Sequence, residues 1–171
     1  MAKITFILGG ARSGKSTFAL ELAKKYKDVA FIATCQGRDL EMRKRIKAHQ
    51  LSRPKHWQTF EESKEIIRAL EKINSRCPCI IIDCLTLLVS NLILSGASHD
   101  LITEKIKHVF KRLNTFKGRA IIVSNEVGLG IVPRTKLGRD FRDIAGRINQ
   151  LTAANSDEVF FLVSGIPAKI K

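Results

Sequence analysis

Gly9-Gly10-Ala11-Arg12-Ser13-Gly14-Lys15-Ser16 is the stretch that decides the fold. It fits G-x-x-x-x-G-K-[ST], follows directly on the apolar run Ile4–Leu8, and opens an amphipathic segment. That segment, Ser16 to Tyr26, sets Phe18, Ala19, Leu22, Ala23 and Tyr26 along one helical face. Strand, glycine-rich loop and helix in this order form a phosphate cradle. The glycines let backbone N–H groups close around phosphate oxygens, and Lys15 brings a point charge to the β and γ phosphates. Ser16 is positioned to ligate Mg²⁺, and the helix N-terminus adds its own positive potential. The bland alternative is a glycine-rich turn with an exposed lysine, which the flanking strand and helix disfavour.

Working outward, the runs Val29–Ala33, Ile80–Ile82, Ala120–Val123 and Val159–Val163 join Ile4–Leu8 as short apolar segments bounded by Gly, Asp, Asn or Ser. Such runs read as strands buried on both faces. Helical patterns lie between them; after Ser98, Ile102, Ile106, Val109, Phe110, Leu113 and Phe116 recur at helical spacing. This alternation predicts an α/β fold of three layers, a mostly parallel sheet with helices on both faces, with ligands bound beyond the carboxyl ends of the strands. Three segments break the rhythm: Gln36–Trp57, the loop Asn125–Lys136, and the tail after Ser164. No internal repeat or linker interrupts the chain, so residues 1–171 are expected to form a single domain.

Composition narrows the function. The 171 residues are 44% hydrophobic and 27% charged, an ordinary folded globule. No stretch approaches the ~18 apolar residues of a membrane span, and Met1-Ala2-Lys3 leads into a strand without a signal-peptide pattern, so a cytoplasmic protein is expected. Cys35, Cys77, Cys79 and Cys84 lack paired CxxC spacing and suggest neither zinc nor disulfides. The net charge of +14 draws any anionic partner from a distance without choosing among them.

Three further places carry chemistry. Asp83 ends the run Ile80-Ile81-Ile82, where it serves either as the acidic Mg²⁺ partner of a P-loop or as the cap of a following helix. Within Asp39–Gln50, Met42, Ile46 and His49 fall at i, i+4 and i+7, so spacing alone leaves His49 either packed or catalytic. Val123-Ser124-Asn125-Glu126 puts polar groups at a strand end, and Gly128 to Pro133 follows as a constrained loop, a ligand wrap or a plain crossover. Arg134, Lys136, Arg139, Arg142 and Arg147 then make a basic stretch compatible with a solvated helix face.

These motifs, together with Phe31-Ile32-Ala33-Thr34, Arg45-Ile46 with His49, Arg53-Pro54 with Trp57, Asp83-Cys84-Leu85-Thr86, Ser124 to Pro133, and Phe141 to Arg147, run in order through nearly the whole chain. The set resembles the bifunctional adenosylcobinamide kinase / adenosylcobinamide-phosphate guanylyltransferase family of cobalamin biosynthesis, and Asn125-Glu126-Val127-Gly128-Leu129-Gly130-Ile131-Val132-Pro133 is its most specific string. The resemblance implies phosphorylation of the aminopropanol hydroxyl of adenosylcobinamide by ATP or GTP. GMP then passes from GTP to that phosphate, giving adenosylcobinamide-GDP and pyrophosphate through a guanylylated histidine. His49 is that histidine in the pattern Arg-Ile-x-x-His-x-x-x-Arg-Pro, and Lys15 is the second catalytic residue. Some relatives carry two adjacent histidines here, whereas this chain has Ala48-His49. The resemblance further implies nucleotide contacts from Gly9, Gly10, Ala11, Arg12, Ser13, Gly14, Lys15, Ser16, Ala33, Thr34, Cys35, Gln50, Leu51, Ser52, Arg53, Glu61 and Asp83. It implies Mg²⁺ on Ser16 and Asp83, a RecA-like branch of the P-loop fold, and a homotrimer.

Two other readings compete. A nucleic-acid-dependent P-loop ATPase is suggested by the +14 charge and the basic runs 43–55 and 105–119, but one Trp and one Tyr leave few stacking residues, and Phe110 and Phe116 fall on an apolar face. A kinase of the same fold without guanylyl transfer is kept open by Ala48.

Overall fold

Alternate residues of a strand point to opposite faces, and the apolar runs use both. The computed structural model describes residues 1–37, 40–51 and 53–171, without the side chain of residue 45. In chain order the elements are β1 (Lys3–Gly9), α1 (Lys15–Ala23), β2 (Val29–Ala33), α2 (Leu40–Leu51), β3 (Gln58–Glu61), α3 (Ile66–Lys72) and β4 (Cys79–Asp83). They continue with α4 (Leu85–Leu94), α5 (His99–Leu113), β5 (Arg119–Asn125), α6 (Lys136–Ala154), β6 (Glu158–Val163) and β7 (Ile166–Lys169). The strands form one sheet in the order β3-β2-β4-β5-β1-β6-β7, parallel throughout except for the antiparallel β6–β7 pair.

Ile4, Phe6, Ile32, Ile80, Ile82 and Ile122 look to one face, where α3, α4, α5 and α6 cover them. Ile7, Phe31, Ile81, Ile121 and Val123 look to the other, where Ala19 and Ala23 of α1 and the buried Trp57 lie. The three layers expected from the alternation of elements are therefore present, and α5 buries the stripe Ile102, Ile106, Val109, Phe110 and Leu113. Its start is fixed by Ser98, whose hydroxyl accepts from the Leu101 N–H at 3.2 Å.

The architecture departs from the sequence reading at three places: the tail, β3 and the end of α1. The tail after Ser164 is not irregular: Ile166–Lys169 turns back as β7 along β6. β3 pairs with β2 from within a stretch that has no apolar run. The helix expected within Asp39–Gln50 is present as the twelve-residue α2, and Asp39 itself lies outside the described residues. α1 stops at Ala23, and Tyr26 belongs to the turn that follows, its N–H bonded to the Ala23 carbonyl at 2.9 Å.

At the amino edge of the sheet one carboxylate gathers charges from three other strands. Glu158 on β6 lies 3.0 Å from Lys169 of β7, 3.3 Å from Lys3 of β1 and 3.2 Å from Arg119 of β5. The hydrogen bond from Lys169, then that from Lys3 and the charge of Arg119, hold the Glu158 carboxyl down at about 2. A carboxyl depressed on folding stabilises the fold above its ordinary pKa and loses that contribution as pH falls through the folded value. Glu158→Gln is therefore expected to lower the melting temperature at pH 7, with the difference from the parent chain closing as thermal melts are taken from about pH 4.5 down to about 2.

Candidate active site

The P-loop is built where two backbones come unusually close. β1 ends at Gly9, where a Cβ would stand 2.5 Å from the Leu162 carbonyl oxygen of β6. The chain then turns through Gly14, at φ +93°, into the first turn of α1. Both positions require glycine, one for space and one for backbone conformation. Lys15 is only 6% exposed; its ammonium donates to the Gly10 carbonyl at 2.5 Å and to Ser13 Oγ at 3.4 Å. Burial lowers its pKa, and the neighbouring Cys84 and Asp83 pull the other way. A desolvated ammonium at a helix N-terminus is a ready receptor for phosphate oxygens.

Asp83 ends β4 facing this loop. Burial pushes its carboxyl up, while a hydrogen bond from Ser16 and the charges of His49, Arg53 and Lys15 oppose that push. Ser16 and Asp83 both line one cavity, which the P-loop borders.

Arg53 completes the charged wall. Its guanidinium stacks 3.7 Å above the Phe31 ring, on the same face of the sheet as α1. Burial depresses its pKa, with Asp83 and Glu61 acting in the opposite sense. Nε and one Nη of Arg53 are buried with no hydrogen-bond partner among the described residues. Buried unpaired donors are costly, and a row of them facing a cavity is where an anion is stabilised most. Glu61, at the end of β3, accepts from Gln50 of α2 at 2.5 Å and so ties that helix to the sheet.

These groups surround a cavity of about 690 Å³, the size that holds one small-molecule ligand. Residues Ala11 to Ser16 form one wall, and α2 forms another with Met42, Ile46, Ala48 and His49. The apolar residues of the i, i+4, i+7 stripe therefore line a cavity and do not pack into a core. Ala33, Cys35, Arg53, Glu61 and Asp83 close the floor.

Of the residues selected from sequence, Gly9, Gly10, Thr34, Gln50 and Leu51 do not line this cavity, and Ser52 lies outside the described residues. Thr34 is wholly buried; its hydroxyl donates to the Cys84 carbonyl at 2.7 Å and accepts from the Cys84 N–H at 2.8 Å. It fixes the strand end that presents Asp83, while its neighbours Ala33 and Cys35 face the cavity. Leu87 lines the cavity although nothing in the sequence signalled it, and so do Val123 and Asn125, from the strand end marked as a candidate ligand wrap but absent from the expected nucleotide contacts. The strand-terminal position of Asn125 was the available signal; Leu87, in a helix apolar on nearly every side, offered none.

The similarities to known proteins agree with this geometry. Residues 5–170 match the family described as cobinamide kinase / cobinamide phosphate guanyltransferase. The bifunctional adenosylcobalamin biosynthesis protein CobP of Pseudomonas aeruginosa is 42% identical over 166 residues, spanning 96% of this chain and 95% of the relative. The corresponding CobU proteins of Escherichia coli and Salmonella typhimurium are 37% and 39% identical over 177 residues, spanning 96% of this chain and 98% of each relative. Among solved structures, the RadB recombinase superposes with a TM-score of 0.51 at 16% identity, covering 93% of this chain and 73% of its own. An ATPase of the type III secretion system of pathogenic bacteria gives 0.53 at 9% identity, covering 98% and 56%. At these identities the two structures speak for the fold alone, a RecA-like P-loop architecture. The chain belongs to the cobinamide kinase / cobinamide phosphate guanyltransferase family, and it is an enzyme of that bifunctional kinase and guanylyltransferase type.

Proposed function

We propose that this chain phosphorylates adenosylcobinamide with ATP or GTP and then moves GMP from GTP, by way of His49, onto the adenosylcobinamide phosphate. One observation carries the assignment of His49: it shares a single cavity with the P-loop. Family membership supplies the substrates.

In the transfer half, the lone pair of an imidazole nitrogen forms a bond to the α-phosphorus of GTP. The bond from that phosphorus to the bridging oxygen breaks, pyrophosphate leaves with the electron pair, and the imidazole proton is lost to water. An oxygen of the acceptor phosphate then attacks the same phosphorus, the P–N bond breaks, and its electron pair returns to the imidazole nitrogen, which regains a proton from water. Lys15 and Arg53 hold the negative charge that builds on the phosphates, and the buried setting strengthens both interactions. Ala48 leaves His49 as the only imidazole that α2 offers to the cavity.

Ser16 and Asp83 would hold Mg²⁺: they line the same cavity, and a hydroxyl and a carboxylate are the hard oxygen donors this ion prefers. When bound, the ion neutralises phosphate charge. The described residues contain no group of three His, Cys, Asp or Glu suited to a metal, and phosphate oxygens and water would supply its remaining ligands. The homotrimer is carried over from the family resemblance, and light scattering is expected to return three chain masses.

Incubation with α-labelled GTP and magnesium is expected to leave acid-labile label on His49. His49→Ala should lose the label and the transfer reaction while still converting adenosylcobinamide to its phosphate. Full transfer activity in that variant overturns the nucleophile assignment. Phosphate formation without any GDP product in the parent chain makes it a kinase alone. Lys15→Ala is expected to lower kcat/KM of both reactions by on the order of 10²–10³-fold. Arg53→Ala should weaken GTP binding by about tenfold or more, measured by calorimetry, with a smaller loss in Arg53→Lys.

A further inference from the structure

The enzyme handles two large substrates, and the cavity between the P-loop and α2 has room for one, the nucleotide. The corrinoid must rest on an adjoining surface from which its hydroxyl-bearing or phosphate-bearing arm enters. The register of the sheet says what adjoins. Gly9 pairs with Asn125 of β5 on one side and with Leu162 of β6 on the other. The loop that leaves β5 and the turn that leaves β6 therefore emerge on the two flanks of the P-loop strand, about 10 Å apart at the ~4.8 Å strand spacing.

Both flanks are apolar and exposed. Leu129 and Ile131, 82% and 97% exposed, stand with Val132 on the β5–α6 loop, and Val163 and Ile166 bracket the β6–β7 turn. These five are among twelve exposed large hydrophobic residues in the described chain, a concentration beside the P-loop where scattered singles are the norm. They are not loose chain either. The Glu126 N–H donates to the Gly9 carbonyl at 2.9 Å, and Glu126 Oε1 accepts from the Gly128 N–H at 2.6 Å. Arg139 donates to the carbonyls of Pro133 and Arg134 at 3.1 and 2.8 Å. Across the P-loop, the Gly165 N–H of the β6–β7 turn donates to the Ser13 carbonyl at 3.0 Å. Apolar side chains held out toward water by anchored backbone form a surface already shaped for an apolar ligand.

We infer that this two-sided apolar rim, with Leu129, Ile131 and Val132 on one flank of the P-loop and Val163 and Ile166 on the other, is the seat of the corrin macrocycle. A methyl-rich ring with broad apolar faces buries against such a rim, while its reactive arm reaches down to the phosphates on the loop between. The assignment rests on the bifunctional reading above. It divides the carboxyl edge of the sheet in two: the cavity between the P-loop and α2 serves the nucleotide, and the outward faces of the loops that leave β5 and β6 serve the acceptor.

The test uses the full chain and adenosylcobinamide, whose own visible absorption reports binding in equilibrium dialysis. Leu129→Ser/Ile131→Ser and, separately, Ile166→Ser are expected to weaken corrinoid binding and raise its KM by about tenfold or more. GTP binding and the labelling of His49 in the absence of corrinoid should stay within twofold, and the mass in solution should be unchanged. Leu94→Ser, an exposed leucine on α4, is the control expected to do nothing. Unaltered corrinoid binding in both rim variants overturns the assignment. So does loss of the assembled state in those variants, which makes the rim a contact between copies. A parent chain that binds corrinoid but takes no label on His49 refutes the nucleophile and leaves the rim standing.

Discussion

Everything at the carboxyl edge depends on how closely β6 passes β1. The Leu162 carbonyl occupies the space a side chain at residue 9 would need, and Gly14 meets the β6–β7 turn in the same way, its would-be Cβ 3.2 Å from the Gly165 Cα. This contact seats the phosphate loop against a second strand end as well as its own, and it sets Leu162 in register with Gly9 and Asn125. The loop is thus braced from the side away from α2. Its geometry follows from backbone packing, and the charged side chains are left to bind ligand.

The charges in the cavity are unevenly matched. Lys15 and Arg53 are both desolvated, Arg12 lines the same cavity, and the carboxylates that answer them are Asp83 and Glu61. Phe31 underlies the guanidinium of Arg53 and holds it flat without supplying a counter-charge. A wall of this kind is least stable when empty and gains most from a polyanion, which is the electrostatic form of preorganisation. The +14 of the whole chain works at longer range, raising the local concentration of such anions at the surface.

The sequence was most informative where one residue type has one physical reason to occur. The P-loop, the buried strands and the amphipathic α5 were legible because glycine, β-branched runs and a 3.6-residue period each point to one structure. β3 and β7 were hidden, since their residues are almost entirely exposed and carry no apolar run. α4 was hidden for the opposite reason: Leu85–Leu94 is apolar on nearly every side and shows no period. At the site, the spacing of Met42, Ile46 and His49 correctly put them on one face, but spacing cannot say whether that face meets a core or a cavity. The stack of Arg53 on Phe31 and the bridge from Thr34 to Cys84 join residues far apart in the chain, and no local pattern signals them.

β1 is the first strand of the chain, yet it lies between β5 and β6, and its Ile4 N–H bonds an Asp157 carboxylate 153 residues away. Pairings of such long range are slow to form, because loop-closure entropy must be overcome before any contact rewards it. β2, β3 and β4 pair with one another over much shorter stretches. The folding order therefore runs against the order of synthesis: the nucleotide-side half of the sheet has local partners early, while the strand that carries the phosphate loop waits for the last third of the chain.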